Sequence, residues 1–355
     1  MDTIPLHSDD EWLYVLTLLP DNLEESAKAT SALVRQRNVP NAAALIRLAL
    51  AYAVSDLSLK DVAAWASGLG VATLTGPGLF YRLREAGRWL EQVLASTLEQ
   101  EIGRAPTGIR LRVVDATVIN GPGTTGTQWR AHVLVNPATG GFESVELTDN
   151  HGGEGYGRHP LERDDVVLGD RAYATARGIH AVRQASAHVI VRLNPHTLRV
   201  CDGEGRCISL LSDAENVPKV GVLEYNIQIP VPPERRNKSH KSWKLEDAIA
   251  WIPARVIASR TRTGDVIWIL TTLLSEQWSP VLILILYRFR WQIELFFKRL
   301  KSLLHIDTLP SREGPTAKSW MLARFLAAAL AQKLTPLAGA LSPWGYELRE
   351  SRIHA

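Results

Sequence analysis

The chain has 355 residues, with 40 basic and 37 acidic side chains and a formal net charge of +3. Apolar residues make up 46% and charged residues 22%, a balance that is typical of a folded protein and excludes wholesale disorder. A single hydrophobic core stops growing near ~250–300 residues, so we expect more than one domain. The longest aliphatic run, residues 281–286, is far shorter than the roughly 20 residues that span a bilayer.

The cysteines and the N-terminal residues indicate in which cellular compartment the protein acts. Cys201 and Cys207 are too few for a disulfide framework, which favours a reducing environment. The first residues are not basic and lead into an acidic run, unlike a secretory signal peptide. We therefore expect a cytoplasmic protein.

The basic residues are unevenly distributed. Of the 40, 30 are arginine, whose guanidinium group matches phosphate in a bidentate way. Residues 232–262 carry 8 bases against 3 acids, and residues 286–304 carry 5 bases against one acid, whereas residues 1–100 are mildly acidic. This pattern favours a localised site for a polyanion, with solvated surface as the alternative.

Residues 1–105 are predicted to form a helical domain. Apolar side chains recur at three- and four-residue spacing in residues 22–37, 41–54 and 79–98. Ser58 and Asp61 resemble a capping box that opens a helix over residues 59–67. A helix-turn-helix that contacts DNA ends and a bundle that only packs are both compatible with this pattern.

A mixed α/β region follows, in which residues 106–193 alternate between strand and helix patterns. Three strands that we expect to be antiparallel are followed by a short buried strand, a helix and another strand; they cover residues 110–119, 130–135, 142–148, 166–168, 175–184 and 188–193. The remaining segments are a β-rich insertion, a further α-helical part of the core and a helical tail, at residues 194–274, 275–310 and 311–355. The tail contains one amphipathic helix, residues 319–334.

A helix predicted from Pro280 to about residue 304 carries the most informative pattern. At 100° per residue, Arg290, Glu294, Lys298 and Lys301 lie on the same side as Tyr287, opposite an apolar arc. One interpretation is a salt-bridged surface helix with a Glu294–Lys298 pair. The other is a phosphate-binding face, in which Glu294 holds a divalent cation among the basic groups.

One carboxylate is too few for a hard cation such as Mg²⁺, which prefers a shell of oxygen ligands. Asp115 lies in the middle of an apolar strand, where an unpaired acid is costly, and Asp170 follows the short strand of residues 166–168. If these two strands are neighbours, both acids can face the start of the helix that carries Glu294.

These residues resemble the DDE transposases of bacterial insertion sequences, which have an RNase H-like catalytic core. The signature Y-(2)-R-(3)-E-(6)-K is present as Tyr287, Arg290, Glu294 and Lys301. The segments VVDATVI and LGDRAY are similar to those that carry the first and second acids of such enzymes. The resemblance covers about residues 109–304.

The resemblance implies that Asp115, Asp170 and Glu294 are catalytic and bind two Mg²⁺ ions, with Mn²⁺ as a substitute, for DNA cleavage and strand transfer. It also implies that Tyr287, Arg290 and Lys301 hold DNA phosphates, with Lys298 beside them. The expected partners are the inverted-repeat ends and target DNA, bound by a dimer in the bacterial nucleoid.

The β-rich insertion adds further DNA-binding candidates, namely the basic run with Arg235, Arg236 and Lys238. Trp268 is similar in placement to an indole that supports a flipped base in relatives with such an insertion. The alternative for Trp268 is a place in the hydrophobic core.

Three other functions remain open from the sequence. The first is a nuclease with the same core and no strand transfer, and the second is a non-catalytic DNA-binding protein. The third, a nicotinamide-dependent oxidoreductase, rests on a G-x-G-x-x-G pattern at residues 121–126. That fingerprint must open a helix, whereas the residues that follow alternate like a strand, so we favour a hairpin loop.

Overall fold

The computed structural model describes residues 9–55, 57–99, 110–120, 127–137, 141–233, 243–261, 263–274, 278–290, 293, 294, 298, 309 and 314–340. The chain divides into two compact units. One comprises residues 1–102, 118–129 and 299–355, and the other residues 103–117 and 130–298.

The helices are α1 (Asp9–Thr17), α2 (Leu23–Ala29), α3 (Ala42–Val54), α4 (Leu59–Gly68), α5 (Gly76–Glu99), α6 (Ala176–Gln184), α7 (Pro280–Arg288) and α8 (Gly314–Ala340). The strands are β1 (Arg110–Asn120), β2 (Thr127–Asn136), β3 (Gly141–Asp149), β4 (Asp165–Gly169), β5 (His188–Arg192), β6 (Val200–Cys201), β7 (Cys207–Ile208), β8 (Leu223–Val231), β9 (Ala250–Arg260) and β10 (Val266–Thr271). Within the described residues, no helix combines the length and the apolar character needed to cross a membrane.

The first unit contains helices α1 to α5 and α8. Residues close in sequence decide where some of these helices begin and end. Ser58 caps α4 by accepting a hydrogen bond from the backbone N–H of Asp61, as the sequence predicts. The single helix expected over residues 22–37 is wrong, because α2 ends at Ala29 and Ser31 has a left-handed φ of 63°. A right-handed helix does not continue through such a residue.

The C-terminal helix of this unit, α8, packs along α5. The Ser319 hydroxyl donates to the carbonyl oxygen of Leu83 at 2.5 Å, and the Lys318 ammonium lies 3.0 Å from Glu91. The helix is longer than the predicted residues 319–334, since it begins at Gly314.

The second unit is organised by a ten-stranded sheet with the order β3-β2-β1-β4-β5-β10-β9-β8-β6-β7. β4 lies parallel to both of its neighbours, with Leu168 opposite Val113 of β1 and Ile190 of β5. The predicted neighbourhood of the strands that carry Asp115 and precede Asp170 is therefore confirmed.

Strands β6 to β10, all from residues 194–274, continue this same sheet. β10 pairs antiparallel with β5 and with β9, so that Ile269 lies opposite both Arg192 and Ile257. One hydrophobic core cluster accordingly contains residues from both parts, including Val167 and Trp268. The division of this region into a catalytic core and an insertion stays a prediction.

The helix expected to run unbroken from Pro280 to about residue 304 is interrupted. α7 ends at Arg288, and residues 289–290 form a turn in which the N–H of Arg290 donates to the carbonyl oxygen of Tyr287 at 3.1 Å. Residues 293, 294 and 298 are helical again. Apolar spacing does not distinguish this tighter i,i+3 bonding from a regular α-helix, which is why the prediction missed the break.

Candidate active site

Two carboxylates lie on neighbouring parallel strands, one in the middle of β1 and one directly after β4. Val113 is level with Leu168, so extending this register by two residues places Asp115 of β1 beside Asp170, which directly follows β4. The Asp115 side chain accepts a hydrogen bond from the N–H of Ala116 at 2.8 Å. The carboxyl ends of parallel strands are a common location for functional sites.

Asp170 is held by the start of a short 3₁₀ turn, Arg171–Tyr173. Its Oδ1 accepts a hydrogen bond from the backbone N–H of Ala172 at 2.8 Å. The strand that precedes it, β4, is buried along its whole length, which fixes the backbone that carries this carboxylate.

The electrostatics of Asp115 show how closely these groups interact. Burial raises the pKa of Asp115 to about 6, and the negative charges of Asp170 and Glu154 add to the rise. The hydrogen bond from Ala116 and the positive charge of Arg290 oppose it. A buried carboxylate whose pKa is raised further by neighbouring negative charges lies where a cation is favourable.

Glu294 is connected to this pair through Arg290. The Arg290 guanidinium donates to Glu294 Oε1 at 2.6 Å. Burial disfavours the charged guanidinium, but the bond to Glu294 and the negative charges of Glu294 and Asp115 outweigh this and raise the pKa of Arg290. Arg290 therefore lies within the field of both acids.

Tyr287 belongs to the same group of side chains. Burial raises the pKa of the Tyr287 hydroxyl, and the charge of Asp170 adds to the rise, whereas Arg290 and Arg192 oppose it. The structure thus brings together five of the predicted site residues, and these are Asp115, Asp170, Tyr287, Arg290 and Glu294.

The other predicted site residues fall into two groups. Lys298 is described and exposed. The phosphate contacts expected at Lys301 and in the basic run lie outside the described residues, namely Lys301, Arg235, Arg236 and Lys238.

Trp268 lies in the hydrophobic core rather than on an open face. Its side chain is 4% exposed and belongs to the same buried cluster as Val256 and Leu270. It sits on β10, paired with Ala258 of β9. This burial supports the core alternative and contradicts an accessible stacking face at Trp268.

Comparison with known proteins identifies the family of the chain. Residues 106–330 match the family model described as the transposase DDE domain. The chain belongs to the DDE transposase family. It is 34% identical over 350 residues to the putative transposase InsL of insertion sequence element IS186A from Escherichia coli (strain K12), with 91% of this chain and 94% of InsL covered.

Further relatives include the transposase for insertion sequence element IS421 from Escherichia coli, also 34% identical over 351 residues, with the same coverage. The fold is similar to that of the piggyBac transposase in a synaptic complex with hairpin DNA, at a TM-score of 0.51 and 8% identity, covering 93% of this chain and 76% of that one. At this identity the likeness speaks to the fold, and it agrees with the predicted mixed α/β architecture with an RNase H-like core.

The protein is thus a transposase of the bacterial insertion-sequence type, and its function is DNA transposition. Its family consists of enzymes that bind and cleave DNA and generally use a divalent metal ion. The oxidoreductase alternative is wrong, because the segment of residues 121–126 is followed by strand β2 and not by a helix.

The side chains of the transposase fit a divalent metal in chemistry, although they are not assembled around one. No group of three or more His, Cys, Asp or Glu side chains in the described part of the chain is arranged to hold a metal ion. The donors are all carboxylate oxygens, which hard divalent cations prefer. A cation would relieve the repulsion that the charges of Asp170 and Glu154 exert on Asp115, and the bond from Arg290 engages only Oε1 of Glu294.

Sequence reasoning missed a group of residues beside the two aspartates. Glu154 lies in a glycine-rich loop, and burial and the charge of Asp170 raise its pKa, opposed by Arg130. The rings of Tyr156 and Tyr173 pack against each other with centroids 5.2 Å apart. An available signal was the acid flanked by glycine on both sides in the segment GGEG.

Proposed function

We propose that the transposase cuts and rejoins DNA at the inverted-repeat ends of its own element, with Asp115, Asp170 and Glu294 as its catalytic carboxylates. The observation that carries this proposal is the placement of Asp115, in the middle of β1, beside Asp170, directly after β4, with Arg290 bonded to Glu294 and acting on Asp115.

The three carboxylates would hold two Mg²⁺ ions, for which Mn²⁺ substitutes. When bound, such ions activate water or a DNA 3′-hydroxyl and neutralise charge that develops on the phosphodiester. Asp115 within β1 and Asp170 directly after β4 fix the negative charge of the site on the sheet. Arg290, once exchanged from Glu294, donates its fork of N–H groups to phosphate oxygens, and the Tyr287 hydroxyl orients the same phosphate.

The remaining basic side chains would track the DNA backbone. Lys298 and Lys301 extend the phosphate-binding face along the helical segment, and the basic run of residues 235–238 supplies Arg235, Arg236 and Lys238. Such contacts add affinity without sequence preference. Two DNA ends imply two copies of the chain in the active complex, acting in the bacterial cytoplasm on the nucleoid.

The test is strand mapping with full-length protein, Mg²⁺ and DNA that carries the element's ends. Glu294→Gln keeps the size of the side chain and removes its charge, so it should abolish cleavage while DNA retention in a gel-shift assay persists. Cleavage at the wild-type rate by this variant would contradict the assignment. Ends that are cut but never joined to target DNA would point to the nuclease alternative.

Glu246→Gln is the matched control. Glu246 is exposed and paired with Lys244 at 3.0 Å, on the β-rich segment. This variant makes the same chemical change away from the carboxylates, and we expect it to cut and join DNA like the wild type.

A further inference from the structure

The glycine-rich loop at residues 151–157 is fixed by two arginines. Arg130 of β2 donates to the carbonyl oxygen of Gly152 at 3.0 Å, and Arg158 donates from Nε to the carbonyl oxygen of Gly153 at 2.8 Å. These bonds hold the backbone immediately before Glu154, so its side chain starts from a defined position.

The far end of the loop docks against the end of β4. A Cβ atom on Gly169 would lie 2.5 Å from the Tyr156 hydroxyl oxygen and 2.9 Å from Cβ of Tyr173. The ring of Tyr156 therefore occupies the space beside the residue that precedes Asp170, and Glu154 lies two residues before this contact.

Glu154 adds a third negative charge that interacts with Asp115 and Asp170. Its side chain is 24% exposed, and its Oε1 lies 3.9 Å from the Arg130 guanidinium, too far for a direct hydrogen bond. The charge of Asp170 acts on Glu154, and that of Glu154 acts on Asp115.

The Tyr173 hydroxyl is buried within the same group. Tyr173 is 1% exposed, and within the described part of the chain its hydroxyl has no hydrogen-bond partner. Burial raises the pKa of Tyr173, the negative charges of Glu154, Asp115 and Asp170 add to the rise, and Arg158 opposes it. A buried hydroxyl is normally satisfied by protein, water or a ligand, because leaving it unpaired costs about 1–3 kcal/mol.

We propose that the Glu154 carboxylate and the Tyr173 hydroxyl are positioning residues that bind the water shell of the divalent cation held by Asp115 and Asp170. Mg²⁺ keeps several of its water ligands in proteins, so oxygen groups behind its carboxylate ligands have a partner to bind. This inference rests on the proposed function, since it takes the two aspartates as the ligands.

The experiment uses Mn²⁺ alone with the full-length protein and no DNA. Binding is measured as the decrease in the electron paramagnetic resonance signal of the free ion. Glu154→Gln and Tyr173→Phe should each raise the Kd for Mn²⁺ by roughly 10-fold or more, as second-layer substitutions do. Tyr173→Phe removes a hydroxyl without a hydrogen-bond partner in the described part of the chain, so we expect no loss of thermal stability.

Glu146→Gln is the control. Glu146 Oε1 accepts a bond from Arg158 at 2.6 Å, and a glutamine oxygen can still accept it, so this variant removes a nearby charge while it keeps the anchor of the loop. Its Kd for Mn²⁺ should equal that of the wild type.

An unchanged Kd in both Glu154→Gln and Tyr173→Phe would overturn the inference, as would an equal rise in Glu146→Gln. Should Glu154→Gln fail to fold, Tyr173→Phe decides alone. The Asp170→Asn variant distinguishes a failure of the positioning role from a failure of the proposed metal site. If Asp170→Asn abolishes Mn²⁺ binding while the other two variants bind normally, only the positioning role is lost; if Asp170→Asn binds normally, the metal site itself is wrong.

Discussion

Arg290 donates a 2.6 Å hydrogen bond to Glu294, so a residue expected to grip DNA phosphate is bonded to a residue expected to hold metal. The two side chains are 20% and 39% exposed, and such i,i+4 pairs stabilise a helix by only about 0.3–0.5 kcal/mol. A phosphate on Arg290 and a cation on Glu294 can therefore replace this pair at little cost.

Arg290→Ala tests the phosphate contact. The variant loses one counterion-releasing group, so the slope of log K against log salt for binding to the element's ends should fall by about one. The free energy of unfolding should fall by only about 1 kcal/mol, since the variant loses a partly exposed pair and one positive charge that acts on Asp115. Binding titrations at several salt concentrations and a urea melt provide both numbers.

Arg288→Ala is its matched control, because Arg288 is exposed and ends α7 two residues earlier. It removes the same charge from the same segment, and we expect the wild-type salt slope. Equal decreases in both variants would mean that Arg290 acts only through net charge.

Asp115→Asn should make the protein more stable while it abolishes cleavage. Burial raises the pKa of Asp115 from its ordinary 3.8 to about 6, so the folded state favours the neutral carboxyl. The stabilisation that this neutral form provides is complete below pH 3.8 and is lost as the pH rises through about 6. Urea unfolding at about pH 8 should show a gain of roughly 1–3 kcal/mol for the asparagine, a gain that shrinks towards pH 4.

Asp165→Asn makes the same chemical change at a buried acid and should have the opposite effect on stability. Asp165 is fully buried, with Arg110 at 2.6 Å and Arg112 at 3.2 Å. Removing its charge leaves two buried guanidinium groups without this partner, at a cost of about 3–5 kcal/mol. A loss of stability in both variants at about pH 8 would contradict the conclusion that burial and nearby negative charges destabilise the charged form of Asp115.

The features that sequence reasoning predicted depend on short-range patterns. The β-branched residues around Asp115 predict the strand that carries it, and the short apolar run before Asp170 predicts β4. The Ser58 cap lies three residues from its partner, within the reach of a local rule. The positions of the two acids suggested that β1 and β4 are neighbours, and the structure pairs these strands in parallel.

The features that it missed depend on contacts between distant segments. Glu154 comes near Asp170 only because its loop docks on the end of β4 through Tyr156, which no periodicity indicates. The choice of Arg290 rather than Lys298 as the partner of Glu294 depends on side-chain positions after the turn at residues 289–290. Burial of Trp268 depends on pairing across three strands.

Gly169→Ala tests the docking of the loop. The added methyl group would lie 2.5 Å from the Tyr156 hydroxyl oxygen, so Tyr156 must move, and overpacking of this kind costs about 1–3 kcal/mol. We expect a lower melting temperature together with slower cleavage, because Asp170 is the next residue. Gly153→Ala is the control, since its added methyl group meets no atom within 4 Å and should leave both measurements unchanged.

Trp268→Ala distinguishes a core indole from a stacking platform. Trp268 is 4% exposed and belongs to the core cluster, so loss of its indole should lower the free energy of unfolding by about 3–5 kcal/mol, as measured by urea denaturation. Trp243→Ala removes a partly buried indole whose ring lies 4.6 Å from the Arg199 guanidinium, and should cost about 0.5–1 kcal/mol beyond its small loss of packing. A DNA substrate that lacks the base expected to flip should not restore cleavage to Trp268→Ala, because the defect lies in folding. If Trp268→Ala instead has wild-type stability and its second-strand cleavage recovers on that substrate, Trp268 is a DNA-binding residue.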